Sequence, residues 1–147
     1  MRRFGTKNVM SFMPKKVLDS WALIAFFEDE PGAEKVEKLL AQATVDKQRL
    51  LLSVVNWGEV YYNTMRGVSQ EAAEKNARNI AALPIEIVGV GDDLALARQA
   101  AVFKAAHRMA YADCFAAALA KTKNAELLTG DPEFKSLEKE IKIVWLK

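Results

Sequence analysis

Short apolar segments alternate with helix-patterned segments from one end of the chain to the other. Segments with the length and composition of strands lie at residues 16–19, 50–53, 85–88, 126–129 and 141–145. Between them, apolar residues recur at helical spacing, as Val36, Leu39 and Leu40 do. Strands that alternate with helices build a parallel sheet covered by helices on both faces. The sequence therefore predicts an α/β fold, a three-layer α/β/α sandwich.

Proline, glycine and aspartate residues mark the ends of several predicted helices. The predicted helices span roughly residues 20–27, 31–44, 56–66, 70–82, 93–106, 111–122 and 131–139. Pro31 is expected in the first turn of the second helix, where its missing N–H is harmless. Gly67 is expected just after the third helix, in the C′ position that favours glycine. The run Gly91-Asp92-Asp93 is expected to cap the fifth helix, and its two acids are given no catalytic role.

The size and composition of the chain are those of a single globular domain. Its 147 residues are 51% hydrophobic, which suffices for a substantial core. No apolar run approaches the ~20 residues of a membrane helix, and the basic start lacks the apolar region of a signal peptide. Cys114 and His107 are the only residues of their types, which excludes an internal disulfide and a four-ligand zinc site. Since a lone cysteine is typical of a reducing compartment, we expect a cytoplasmic protein without membrane contact.

Basic residues are concentrated at the amino terminus. Residues 1–16 contain five Lys or Arg and no acid, whereas the whole chain has a net charge of +2. Such a start can attract nucleic acid, or it can be a loose tail ahead of a domain that begins after Met13. We adopt the second interpretation, with a basic tail over residues 1–14 and the domain over residues 15–147.

Four acidic residues stand where predicted strands end or predicted helices begin. They are Asp19 at the end of the first strand, Glu59 in the first turn of the helix after the second, Asp131 after the fourth strand, and Asp113 at the start of an almost wholly apolar helix. Since parallel strands with right-handed connections end at one sheet edge, we expect these side chains to meet there. Asp19 and Asp131 are also good helix caps, and Glu59 can simply favour a helix amino terminus. Asp113 is the hardest of the four to explain by structure alone.

Carboxylates gathered at one edge repel one another unless a cation lies between them. Two unit charges ~4 Å apart near a protein surface interact by about 4 kcal/mol, a large share of a domain's stability. Ligand sets made only of oxygen select Mg²⁺ or Mn²⁺. Such an ion activates water and offsets the charge of an attacked phosphate, so the constellation predicts phosphodiester hydrolysis.

Four motifs carry a resemblance to a known family. They are Val17-Leu18-Asp19-Ser20, residues 53–60 (SVVNWGEV), residues 111–120 (YADCFAAALA) and residues 128–134 (LTGDPEF). In this order and spacing they resemble the motifs of PIN-domain nucleases, and within these the VapC toxins of prokaryotic toxin–antitoxin pairs. The resemblance covers residues 16–147. It implies a five-stranded parallel sheet ordered 3-2-1-4-5, a Mg²⁺ or Mn²⁺ site that cleaves single-stranded or looped RNA, a homodimer, and inhibition by a small VapB-like antitoxin.

The resemblance also assigns roles to individual residues. By match to the family motifs, the catalytic metal ligands are Asp19, Glu59, Asp113 and Asp131. By the same match, Ser20, Thr129 and Glu133 are expected in supporting positions. Asn56 is expected to support Glu59 because it lies three residues before it on the same helix face. One position departs from the family: many relatives have Ser or Thr three residues before the third acid, where this chain has Ala110. The missing hydroxyl affects a helix cap and removes no metal ligand.

The function predicted from these residues is that of a metal-dependent endoribonuclease. A receiver domain of phosphorelay signalling also uses an acidic crevice, but it needs an acidic pair at the first strand. Here the only adjacent aspartates, Asp92 and Asp93, come far too late. A PIN-like module that binds RNA or a partner without cutting is the remaining alternative.

Overall fold

The computed structural model describes residues 14–147, so that nearly all of the expected basic tail lies outside the described residues. The strands are β1 (Lys16–Leu18), β2 (Leu50–Ser53), β3 (Ile85–Val88), β4 (Glu126–Thr129) and β5 (Ile143–Trp145). They form one sheet in the order β3-β2-β1-β4-β5, and every neighbouring pair is parallel. The predicted parallel sheet and the strand order implied by the family resemblance are both confirmed.

Each predicted helical segment is helical, with ends that shift by a few residues. The helices are α1 (Ser20–Phe27), α2 (Ala33–Asp46), α3 (Val54–Gly67), α4 (Gln70–Ala82), α5 (Ala95–Ala106) and α6 (Tyr111–Thr122). A 3₁₀ helix covers Pro132–Leu137. Within the described part of the chain, no helix combines the length and the apolar character that a membrane span requires.

The central strands send alternate side chains into two apolar cores, one on each face of the sheet. Val17 and Leu127 lie in a core with residues of α5, α6 and the 3₁₀ helix. Leu18 and Leu128 lie in a second core with residues of α1, α2, α3 and α4. All four side chains are completely buried, as expected for a parallel sheet covered on both faces. The predicted α/β/α sandwich is confirmed.

The predicted start of the second helix is wrong. α2 begins at Ala33 rather than at Pro31, and Gly32 is its N-cap, in a left-handed conformation with φ of 103°. Glycine adopts this conformation without steric strain. The Trp21 ring also lies 3.1 Å from the position that a Cβ of Gly32 would occupy. The turn before α2 therefore depends on the glycine, and the proline lies ahead of it.

Two other predicted caps differ from the structure. Gly67 is the last residue of α3 instead of a C′ residue, and the chain leaves the helix at Val68. At the start of α5 the N-cap is Leu94, with φ of 62°, whereas Asp93 Oδ1 accepts a hydrogen bond from the Ala95 N–H at 3.3 Å. Apolar periodicity defines the helix body but leaves its first and last turns undetermined, which accounts for both differences.

The register of the sheet brings three strand ends to one edge. Leu18 of β1 lies opposite both Leu52 of β2 and Leu128 of β4. Because these strands are parallel, the residues that follow them leave the sheet side by side. Asp19, the amino terminus of α3 and Thr129 are positioned in this way.

We expect Gly130→Ala to lower the free energy of unfolding by about 1–3 kcal/mol, because the added methyl has no space. Its Cβ would lie 2.2 Å from Cη2 of Trp21. Gly58→Ala is the matched control, since a Cβ there meets nothing within 4 Å and alanine favours the helix by up to ~1 kcal/mol. Urea unfolding of both variants provides the measurement. A Gly130→Ala midpoint at or above that of the wild type contradicts the tight contact.

Candidate functional site

Asp19 is a buried carboxylate held at the junction of β1 and α1. The residue is 1% exposed. Oδ1 accepts a hydrogen bond from the Ala22 N–H at 2.8 Å, which makes Asp19 the N-cap of α1. Oδ2 accepts a hydrogen bond from the Thr129 hydroxyl at 2.5 Å. Asp19 therefore caps a helix and also lies at the edge where the other acids were expected.

Thr129 connects the ends of β1 and β4. While its hydroxyl donates to Asp19, its Oγ1 accepts a hydrogen bond from the Asp131 N–H at 3.0 Å. Asp131 in turn is the N-cap of the 3₁₀ helix, because its Oδ1 accepts from the Glu133 N–H at 2.9 Å. These bonds fix the chain that carries Asp131 and Glu133 relative to β1.

Glu59 reaches the same edge from α3 and is half-buried. Its Oε1 accepts a hydrogen bond from the Ser20 hydroxyl and lies 3.5 Å from Asn56 Nδ2. Asn56 is completely buried, and its Nδ2 also donates to the Ala112 carbonyl in the first turn of α6, at 3.0 Å. Ser20, Asn56 and Thr129, which the sequence marked as supporting residues, thus all contact the acidic residues or their helices.

Asp113 lies in the first turn of α6 and is 8% exposed. The carboxylates of Asp113, Asp131 and Glu133 can each offer an oxygen within 4.8 Å of the others, which is a geometry suited to one metal ion. Glu133 was expected only in a supporting position. The 3₁₀ turn after Asp131 carries it into this group, and the sequence signal for it was its position in the motif over residues 128–134.

The missing hydroxyl at Ala110 leaves the start of α6 intact. Ala110 occupies the N-cap position with extended backbone angles but makes no side-chain capping bond. The Cys114 N–H donates to the Ala110 carbonyl at 3.1 Å, so the first helical turn closes normally. Cys114 itself is fully buried in the core, as a small apolar residue would be.

The electrostatics show that the acids lie close enough to interact. Burial raises the pKa of Asp19 to about 7, against the lowering effect of hydrogen bonds from Thr129 and Ala22, and the charges of Asp113 and Asp131 raise it further. Burial also raises the pKa of Asp113 to about 7, together with the negative charges of Glu59, Asp131 and Glu133. All four expected acids, with Glu133, therefore form one cluster.

No basic side chain offsets this charge within residues 14–147. The acids that form ion pairs there are Glu126, paired with Lys16 and Lys142, and Glu140, paired with Lys121 and close to His107. The clustered acids offer only oxygen atoms as ligands. They repel one another, and none of them has an Arg or Lys partner among these residues. This donor set fits Mg²⁺ or Mn²⁺, which prefer carboxylate oxygens.

We expect the metal-free protein to lose stability as the pH rises through the range of these pKa values. An Asp carboxyl has a pKa of ~3.9 in an unfolded chain, while that of Asp113 is about 7 in the folded protein. The folded state therefore binds the proton more tightly, so the contribution of this group to stability is fully present below about pH 4 and is lost as the pH rises through about 7.

Asp113→Asn removes one source of this loss. At pH 8 in EDTA we expect the variant to be more stable than the wild type by about 1–3 kcal/mol, from 1.36 kcal/mol per pKa unit. At pH 5 the difference should be smaller. Chemical denaturation at both pH values measures this, with Asp92→Asn as a control at an exposed acid. A variant destabilised equally at both pH values contradicts the electrostatic account.

The fold is similar to that of three solved toxin–antitoxin proteins. A chain of VapBC2 from Rickettsia felis, bound to a DNA fragment from its promoter, is 15% identical with a TM-score of 0.65, over 88% of this chain and 96% of that one. A chain of DNA-bound VapBC from Salmonella typhimurium is 13% identical with a TM-score of 0.66, over 92% and 100%. VapC20 from Mycobacterium tuberculosis, a toxin that cleaves the sarcin–ricin loop, is 16% identical with a TM-score of 0.65, over 83% and 94%.

These low identities establish the fold and nothing finer. Comparison with curated protein sequences gives no significant match. The family model of the PIN domain, by contrast, matches residues 16–140, which include every acid of the cluster and four of the five strands. The chain therefore belongs to the PIN domain family.

Proposed function

We propose that this protein is a Mg²⁺- or Mn²⁺-dependent endoribonuclease and the toxin of a VapBC-type toxin–antitoxin pair. The observation that carries the proposal is the cluster of buried and half-buried carboxylates at one sheet edge, without a basic partner among the described residues. Membership of the PIN domain family supports nuclease chemistry at this edge.

The proposed catalytic and metal-binding residues are Asp19, Glu59, Asp113 and Asp131, together with Glu133. Asp113, Asp131 and Glu133 can bring one oxygen each close together, so we propose that these three bind the metal ion directly. Asp19 and Glu59 add negative charge beside them. When bound, a divalent ion lowers the pKa of water and offsets the charge on the attacked phosphate. The chain's own residues orient two of these carboxylates: the Thr129 hydroxyl donates to Asp19, and Ser20 and Asn56 act on Glu59.

RNA, an antitoxin and a second copy of the chain are the proposed partners. Support comes from the similarity in fold to VapBC complexes and to VapC20, whose own substrate is the sarcin–ricin loop. Exposed apolar side chains near the junction of α3 and α4, those of Tyr62, Met65 and Val68, offer a surface for a protein partner. We also propose a cytoplasmic location, in keeping with this role and with a single free cysteine, Cys114.

We expect Asp19→Asn and Asp113→Asn each to lower the rate of RNA cleavage at least about 100-fold, since charge stabilisation by such a site supplies several kcal/mol. EDTA should abolish cleavage by the wild type, and Mg²⁺ or Mn²⁺ should restore it. An end-labelled RNA with single-stranded and looped regions is the substrate, and the matched control is Asp92→Asn.

Cleavage by both site variants at the wild-type rate would remove these acids from the mechanism. A wild-type protein that binds Mn²⁺ and RNA yet leaves the RNA intact would support the alternative of a non-catalytic PIN-like module. Titration calorimetry and gel electrophoresis on the same preparation separate these outcomes.

We expect the affinity for Mn²⁺ to increase between pH 6 and pH 8. The carboxyls of Asp19 and Asp113, whose pKa values are raised to about 7, must be ionised to bind a cation, so protons compete with the metal below that pH. Calorimetry at several pH values measures the change, and proton release appears as a dependence of the heat on the buffer. An affinity that is constant over this range contradicts the assigned pKa values.

A further inference from the structure

A chain of hydrogen bonds crosses the amino termini of three helices at the acidic edge. The Ser20 hydroxyl of α1 donates to Oε1 of Glu59 in α3. Asn56 Nδ2 lies 3.5 Å from the same oxygen and 3.0 Å from the Ala112 carbonyl of α6. Ser20 directly follows Asp19, and Ala112 directly precedes Asp113. These hydrogen bonds thus connect the segments that carry Asp19, Glu59 and Asp113, which lie far apart in the sequence.

The amide of Asn56 is the central member of this chain. Its side chain is fully buried, and its nitrogen faces two acceptors, a carboxylate oxygen and a carbonyl oxygen. Rotating the amide by half a turn would bring its own oxygen against both acceptors, so the partners determine the orientation. Aspartate at this position would have no donor, and serine would have a single one.

The side-chain oxygen of Asn56 indicates that the amide at this position is needed for its N–H donors. Its Oδ1 is buried and has no hydrogen-bond partner among the described residues. A buried unpaired oxygen destabilises a folded protein, whereas an apolar side chain of similar size carries no such oxygen. Packing alone therefore does not account for the amide, while its hydrogen bond to the Ala112 carbonyl and its longer contact with Glu59 Oε1 do.

We propose that Asn56 is a positioning residue that sets the Glu59 carboxylate relative to Asp113. The negative charge of Glu59 contributes to the raised pKa of Asp113, so the two groups repel each other. Asn56 and Ser20 both act on Oε1 of Glu59, and Oε2 accepts no hydrogen bond from the described residues. Oε2 is therefore the Glu59 oxygen that remains available to a cation or substrate. The effect on catalysis rests on the proposed nuclease function, but the hydrogen-bond geometry does not.

The kinetic test compares Asn56→Ala with Asn76→Ala. Asn76 Nδ2 donates to Thr64 Oγ1 at 3.1 Å, a contact between α4 and α3 that involves none of the clustered acids. For Asn56→Ala we expect kcat for RNA cleavage to fall about 10- to 100-fold with KM within about twofold, as for other groups that orient metal ligands. Asn76→Ala should keep the wild-type kcat. Equal losses of kcat in both variants would overturn the proposal.

A double-mutant cycle separates positioning from general structural damage. If Asn56 acts through the Glu59 carboxylate, Asn56→Ala should lower kcat by less than about threefold in a Glu59→Gln background. The same fold loss in both backgrounds would show that Asn56 does not act through Glu59. Mn²⁺ affinity measured by calorimetry gives a second cycle that needs no turnover, with an expected loss of about 10- to 100-fold for Asn56→Ala in the wild-type background.

Nuclear magnetic resonance tests the contact without any activity. The side-chain amide signal of Asn56, identified by its loss in Asn56→Asp, should exchange slowly with water and shift in Glu59→Gln. A rapidly exchanging signal that Glu59→Gln leaves unchanged would overturn the inference even if the protein cleaves RNA. A protein that cleaves no RNA but shows the slow, Glu59-dependent signal would retain the positioning contact while the nuclease proposal fails.

Discussion

The crowding of carboxylates at one edge of the sheet is the constraint on which the arrangement of this protein depends. Asp19 and Asp113 are both nearly inaccessible to solvent, and each lies close enough to other acids for its pKa to rise to about 7. Repulsion of this kind would separate the groups unless the fold held them in place. Two buried cores fix the strands, and donors from Thr129, Ser20 and Asn56 fix two of the carboxylates.

The residues that cap helices and the residues of the acidic cluster coincide in this fold because both belong where a strand ends and a helix begins. In a parallel sheet the end of a strand lies next to the start of the helix that follows it. Asp19 and Asp131 therefore cap helical segments, which was the alternative explanation of these two acids from the sequence. They also lie within the acidic cluster. The partial positive charge of a helix amino terminus favours a carboxylate there, which offsets part of the repulsion.

Much of the fold was predictable from local patterns, whereas the details of its turns were not. Burial on both faces makes the central strands continuously apolar, so Leu50 to Leu52 are recognisable as a strand without any neighbour. The predicted roles of Pro31 and Gly67 were wrong because a turn depends on backbone angles that several residues set together. The helix that was expected to start at Pro31 instead starts after Gly32, its N-cap, whose φ is 103° and which lies beside the Trp21 ring.

The sequence by itself determined the order of strands and helices and placed Asp19, Glu59, Asp113 and Asp131 at the ends of these elements, because periodicity and strand ends are local properties. Only the tertiary structure decided which atoms meet. Asn56 reaches the Ala112 carbonyl across 56 residues of chain, and Glu133 joins Asp113 and Asp131 through a 3₁₀ turn. Such contacts depend on the register of the strands and the rotation of each helix about its axis, which no local pattern in the chain specifies.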